Sequence, residues 1–131
     1  MPDPRLTVLG LQLSIHRLEP ADPVPPAVLG SGFYSVTRTA EELSIVCDSG
    51  ILFASPRTEA GWACLKVEGP LDFGLTGVLA GISGALASSG VSIVAISTFD
   101  TDYILVKSAR LPDALRALEC AGYDISPARG G

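Results

Sequence analysis

A single histidine, His16, and three cysteines at unrelated spacings leave little from which to build a metal site or a nucleophile–base pair. His16 lies in a strand-like pattern between Ile15 and Arg17, with no second histidine to join it. It therefore makes neither a Ser–His–Asp triad nor a zinc site, and a surface or edge position is expected. Cys47, Cys64 and Cys120 are odd in number and lack C-x-x-C spacing. They offer neither a disulfide framework nor a metal cluster, and fit reduced, partly buried thiols of a cytoplasmic protein. Basic residues are also scarce: nine lysines and arginines face fourteen acids, for a net charge of −5 and a pI near 4.6. With no basic stripe to neutralise phosphates, nucleic acid is not an expected partner, and an anionic membrane is disfavoured for the same reason. No apolar run approaches the ~20 residues of a membrane-spanning helix. Leu6–Ile15 is apolar but broken by Thr7, Gln12 and Ser14. Only Arg5 precedes it in place of a basic leader, so it reads as a strand and not as a signal peptide.

Phosphate and nucleotide motifs fail in the same way. Asp72-Phe73-Gly74 spells a kinase metal motif, but no Gly-rich phosphate loop or His-Arg-Asp loop accompanies it. Gly77, Gly81 and Gly84 do not satisfy G-x-G-x-x-G. Neither catalysis nor a cofactor is expected.

What the chain does have is apolar patterning. Hydrophobic residues make up 47% and charged residues 18%, enough to bury a core and too apolar for a disordered tail. The second half is the clearer one. Trp62–Val67 is a strand that ends at the turn Glu68-Gly69-Pro70. Leu75, Val78, Leu79, Ile82 and Leu86 recur at helical spacing, and Gly90 stops that helix. Val91–Phe99 and Tyr103–Lys107 are strands joined at Asp100-Thr101-Asp102. Leu111, Ala114, Leu115 and Leu118 form a second amphipathic helix, with Pro112 in its first turn and Gly122 past its end. Tyr123–Ile125 closes a βαββαβ order. The fold class is α+β: a ferredoxin-like antiparallel sheet with two helices on one face.

The first half echoes this order in degenerate form. Leu6–Leu18 is a long strand, and the proline-rich stretch Pro20–Pro26 replaces the helix, leaving at most a turn at Ala27–Leu29. Phe33–Thr39 and Leu43–Cys47 are the next strands. They resemble the Ile96–Lys107 region in order, a weak internal repeat. Two units are expected, residues 1–60 and 61–131, linked through Asp48–Gly61.

Two segments could hold a ligand. Gly69, Pro70, Leu71, Asp72, Phe73, Gly74 and Leu75 open the first helix of the second half. Unpaired N–H groups and the helix dipole there attract a carboxylate; Asp72 equally reads as a plain helix cap. Asp100 and Asp102 can meet an ammonium through charge-assisted bonds, or simply form an Asx turn. Together the two segments suit a zwitterion. Within one unit the Asp100–Asp102 turn can fall at the opposite end of the sheet from the helix start; the two halves of the site would then come from different units, at an interface. Gly77, Gly81 and Gly84, extended by Gly74 and Ser88, form a small-residue stripe, which either admits a second helix or is a weakly packed solvent face.

Leu65-Lys-Val-Glu-Gly-Pro-Leu-Asp-Phe, Leu75-Thr-Gly-Val-Leu and Ile93-Val-Ala-Ile-Ser-Thr-Phe-Asp-Thr-Asp-Tyr-Ile-Leu-Val resemble the small bacterial two-unit ACT-domain proteins. These in turn are similar to the ACT units of animal cytosolic arginine sensors. The likeness is strong over about Trp62–Asp124 and looser over Leu6–Cys47. It implies a regulatory protein that binds an amino acid without catalysis, at unit interfaces beside the first strand–helix loop. Carried over, the site comprises Gly69–Leu75 with Ser97, Thr98, Phe99, Asp100, Thr101 and Asp102. Where the arginine sensors carry an acidic residue this chain has Leu75, which counts against arginine as the ligand. The alternative function is an ACT-like module that dimerises or docks a protein partner with no ligand. A homodimer is expected in either case.

Overall fold

The structure, a computed structural model, describes residues 5–68 and 77–127. In chain order its elements are β1 (Arg5–Leu18), a 3₁₀ turn (Pro26–Gly30), β2 (Tyr34–Arg38), β3 (Leu43–Asp48), β4 (Arg57–Val67), α1 (Val78–Ser88), β5 (Ile93–Ser97), β6 (Asp102–Lys107), a 3₁₀ turn (Ser108–Arg110), α2 (Leu111–Cys120) and β7 (Asp124–Pro127). The chain folds as two compact units, one of residues 1–10 with 63–131 and one of residues 11–62. Strands β1 and β4 are long enough to run through both.

The larger unit has the expected βαββαβ order from β4 to β7, with one addition. The first residues of β1 lie between β4 and β7, giving the strand order β7-β1-β4-β6-β5. β7 pairs parallel with β1, Arg5 opposite Asp124 and Leu6 opposite Ile125. One boundary between the units falls at 62/63, and Arg5–Gly10 belong with residues 63–131. The core is built from Leu6, Ala63, Leu65, Val67, Ile104 and Val106 on the strands, Ile82 and Leu86 on α1, and Ala114 and Leu118 on α2. Both helices end as their glycines predict. Gly90 and Gly122 adopt φ of +73° and +99°, where only glycine is at ease. Val91 N–H then bonds Leu86 O, and Tyr123 N–H bonds Leu118 O, both at 3.0 Å. These are paired Schellman closures, each bringing an apolar residue beyond the glycine against the last turn.

The small-residue stripe is open at Gly77 and Gly84, as the solvent-face reading expects, and crowded at Gly81. A Cβ added at Gly81 would lie 2.6 Å from Tyr123 Oη, while nothing lies within 4 Å of one added at Gly84. The group that closely approaches the helix at Gly81 is thus a phenol of the same unit, while Gly77 and Gly84 face open space and Gly74 lies outside the described residues.

The smaller unit pairs β2 with β3 and β3 with β1, both antiparallel. Its core is Leu18, Val28, Leu43, Ile45 and Cys47. Among its described residues there is no α-helix to cover this face. Val28 of the 3₁₀ turn and the side chains Val24, Ile51 and Phe53 do so instead. The expected link Asp48–Gly61 is consequently two things: Arg57–Gly61 belongs to β4, and the stretch before it packs on the core. His16, expected at a surface or edge, is only 6% exposed. It shares its strand face with Ser14 and Leu18, which are likewise buried.

Candidate functional site

At one end of the larger unit the exit of β4 meets the turn between β5 and β6. Thr101, 5% exposed, donates its hydroxyl to the carbonyl of Val67. That bond fixes the turn beside the strand end from which residues 69–76 lead to α1. The turn itself is tied by threonines. Thr98 N–H bonds Thr101 O at 2.8 Å, Thr98 Oγ1 donates to the same carbonyl at 3.1 Å, and Thr101 N–H returns a bond to Thr98 Oγ1 at 3.3 Å. The expected Asx turn is therefore a threonine turn. Asp102 lies just outside it, as the first residue of β6, opposite Ser97 in the ladder. Ser97 Oγ donates to Asp102 Oδ1 at 2.5 Å, which orients a half-buried carboxylate at the sheet end. Asp100 is exposed, and Phe99 is 80% exposed, large for an aromatic ring.

Other side chains gather at this end. Thr7 Oγ1 donates to Glu68 Oε2, and Glu68 N–H bonds Arg5 O at 2.8 Å. Arg5 Nε pairs with Asp124 Oδ2 at 3.2 Å, both side chains exposed. Helix α1 begins from Gly77 with no side-chain cap and no acid in its first turn. Its N-terminal dipole is thus not neutralised by α1's own first turn.

Of the thirteen residues expected to form the site, Gly69, Pro70, Leu71, Asp72, Phe73, Gly74 and Leu75 lie outside the described residues. Ser97, Thr98, Phe99, Asp100, Thr101 and Asp102 are brought together in one hairpin. This hairpin sits at the same end of its sheet as the exit of β4, so residues from two units are not needed to bring the turn to the strand exit. Sequence reasoning missed Thr7 and Glu68. Thr7 had been read only as a break in an apolar run, yet alternation from the buried Leu6 already turns it to the opposite face. A separate groove of about 530 Å³ opens between α1 and α2 beside Ser88, Arg110, Asp113 and Arg116. Its charges are internally paired, Asp113 accepting from Arg110 at 3.0 Å and Arg116 at 3.4 Å.

Among the described residues no cluster of three or more His, Cys, Asp or Glu side chains could hold a metal ion, and no helix is long and apolar enough to cross a membrane.

Comparison with known proteins agrees with this architecture. The ACT-domain family model matches residues 57–120, and an N-terminal-domain model matches residues 12–51. The crystal structure of an Agobacterium tumefaciens protein is 35% identical, covering 98% of this chain and 96% of that one, with a TM-score of 0.90. The regulatory subunit of aspartate kinase from Thermus flavus shares the fold at 12% identity, with a TM-score of 0.64 over 92% of this chain and 99% of that one. Subunit 1 of the cytosolic arginine sensor for mTORC1 from Bos taurus is 29% identical over 76% of this chain. The chain spans 33% to 57% of the length of the curated relatives it matches. Through this similarity, and through two units of ACT-like order of which the first has a 3₁₀ turn in place of a helix, the chain belongs to the ACT-domain family.

Proposed function

We propose that this protein is a regulatory module that binds a free amino acid without catalysing its conversion. The observation that carries this reading is the bond from Thr101 to the Val67 carbonyl. It ties the turn that precedes Asp102 to the end of β4, the strand that comes before α1 in the chain. An amino acid presents an ammonium and a carboxylate a short distance apart. Asp102, with Asp100 near it, takes the ammonium. The N-terminal side of α1, with residues Gly69–Leu75 before it, takes the carboxylate. The arginine sensing specified in the name of the Bos taurus relative supports the ligand class.

In this reading the protein works in the cytoplasm, where Cys47, Cys64 and Cys120 remain free thiols, and as a homodimer that reports ligand to a protein partner. Cofactors, nucleic acid and membranes have no part in it. Exposed Phe99 favours a second reading, in which the same turn docks a protein and no amino acid binds. Backbone NMR separates the two. With amino acids added one at a time, saturable shifts at Ser97–Asp102 support sensing. Shifts nowhere at millimolar concentration leave the docking module.

A further inference from the structure

In the smaller unit, residues 49–56 cross the buried face of the sheet. Ile51 and Phe53 pack onto Leu18, Leu43, Ile45 and Cys47, while Leu52 stands 85% exposed on the outside. Two kinds of polar contact hold this crossing. At its start Ser49 N–H bonds Gln12 O and Ser49 Oγ meets Ser14 Oγ, both at 2.8 Å. At its end everything converges on His16. The imidazole packs against Phe53 with ring centres 4.3 Å apart. Its Nδ1 lies 3.0 Å from Ser55 Oγ and 3.1 Å from Thr58 Oγ1, and those hydroxyls are 2.6 Å from each other.

The other ring nitrogen has nothing. Nε2 is buried with no hydrogen-bond partner among the described residues. A neutral imidazole tolerates this at modest cost. An imidazolium does not, because it carries N–H on both nitrogens and leaves a charged donor buried without an acceptor at Nε2. We propose that residues 49–56 are a pH-sensitive strap, which neutral His16 holds closed over the core and which swings open, hinged at Ser49, when the imidazole takes up a proton.

Among the described residues no carboxylate pairs with the His16 ring, whose polar contacts are the two hydroxyls alone. On β1, Arg17 is engaged with Glu41 O at 2.9 Å and with Glu19 at 3.8 Å. On β3, Asp48 accepts from Gly32 N–H at 3.2 Å, and the Cys47 thiol is pushed up by burial and by Asp48, so it stays neutral. Glu42 before β3, and Arg57 and Glu59 on β4, share with His16 the lining of an open groove of about 510 Å³. Burial pulls the His16 pKa below its ordinary 6.5. Closed at neutral pH and open in acid is therefore the required order: the open form binds the proton more tightly, so falling pH favours it.

Hydrogen exchange on the full chain at pH 7.5 and 5.5, corrected for intrinsic rates, tests the strap. Protection of residues 49–56 should fall by up to about tenfold at pH 5.5, the limit set by an open-form pKa of 6.5, with α2 unchanged. His16→Gln keeps a polar group at the ring's place and cannot titrate, so its protection should not vary with pH. Because that variant could misfold, the wild-type imidazole is also followed by NMR: its midpoint should lie below 6.5 and coincide with shifts at Phe53 and Ser55. Equal protection at both pH values, the same acid loss in His16→Gln, or an imidazole midpoint at or above 6.5 overturns the proposal.

Discussion

Gly81 and Tyr123 interlock: the phenol oxygen of Tyr123 occupies the space where any side chain at position 81 would begin, 2.6 Å from the site of a Cβ. The next atom of that ring is 4.0 Å away, an ordinary contact, so the conflict lies with the hydroxyl alone. In an exposed helix alanine outdoes glycine by about 1 kcal/mol, whereas overpacking costs about 1–3. Gly81→Ala should therefore destabilise the wild type but stabilise a Tyr123→Phe background. Gly84→Ala, facing open space, should stabilise by up to about 1 kcal/mol in both. A double-mutant cycle by urea unfolding reads the coupling. Equal effects of Gly81→Ala in the two backgrounds would show that the phenol does not set the glycine.

Leu118 is fully buried between α2 and the sheet, and Leu52 is 85% exposed on the strap. Leu118→Ala should cost about 2–5 kcal/mol, the range for a buried leucine that leaves a cavity. Leu52→Ala should stay within about 0.5 kcal/mol. Denaturant midpoints in the reverse order would contradict the assigned core.

Thr101→Val keeps the shape of the side chain but removes the donor to the Val67 carbonyl. The expected loss is about 1–3 kcal/mol, because a buried acceptor is left unpaired, while Thr101→Ser should lose less. Amide exchange at residues 98–102 should quicken in the valine variant. Unchanged exchange there would mean that the bond does not hold the turn.

Cys64 and Cys120 should differ in reactivity. Burial pushes the Cys64 thiol from its ordinary 9.0 up to about 12, and Cys120 is exposed. Native protein at pH 8 should alkylate quickly at Cys120 and at Cys64 only after unfolding. The raised value also gives a stability trend. The folded state retains a proton that the unfolded chain releases above 9, so this contribution is complete below pH 9 and is lost between 9 and about 12. Cys64→Ala should flatten that alkaline decline; an identical decline in the variant would assign it elsewhere.

Much of this fold is readable from local pattern. Gly90 and Gly122 follow apolar helical runs and end both helices; the proline-rich stretch rules out a third. Three features are not legible in local pattern. β1 passes from one unit to the other at Gly10/Leu11, and an alternating strand looks the same on both sides of such a point. The strap's inward Ile51 and Phe53 are flanked by Gly50 and Pro56, whose turn chemistry outweighs so short an alternation. His16 is polar, so it suggested a surface, although its parity with Ser14 and Leu18 already placed it inward. For the site, Ser97 to Asp102 was evident as a turn between apolar strands. Which end of the sheet it occupies depends on strand order, and strand order is settled by tertiary pairing alone.

The central claim is that Asp102 and its turn hold an amino acid. A thermal-shift series over the free amino acids, run on wild type and Asp102→Asn, tests it most directly. Asparagine can still accept the bond from Ser97, so the turn should survive while the charge is lost. A ligand at 100 times its dissociation constant stabilises the native state by about 2.7 kcal/mol, a melting shift of several degrees for a chain of this size. The account predicts that at least one amino acid gives such a shift in the wild type and that Asp102→Asn removes most of it without lowering the ligand-free melting temperature. No shift with any amino acid at millimolar concentration, or an equal shift in Asp102→Asn, would contradict it.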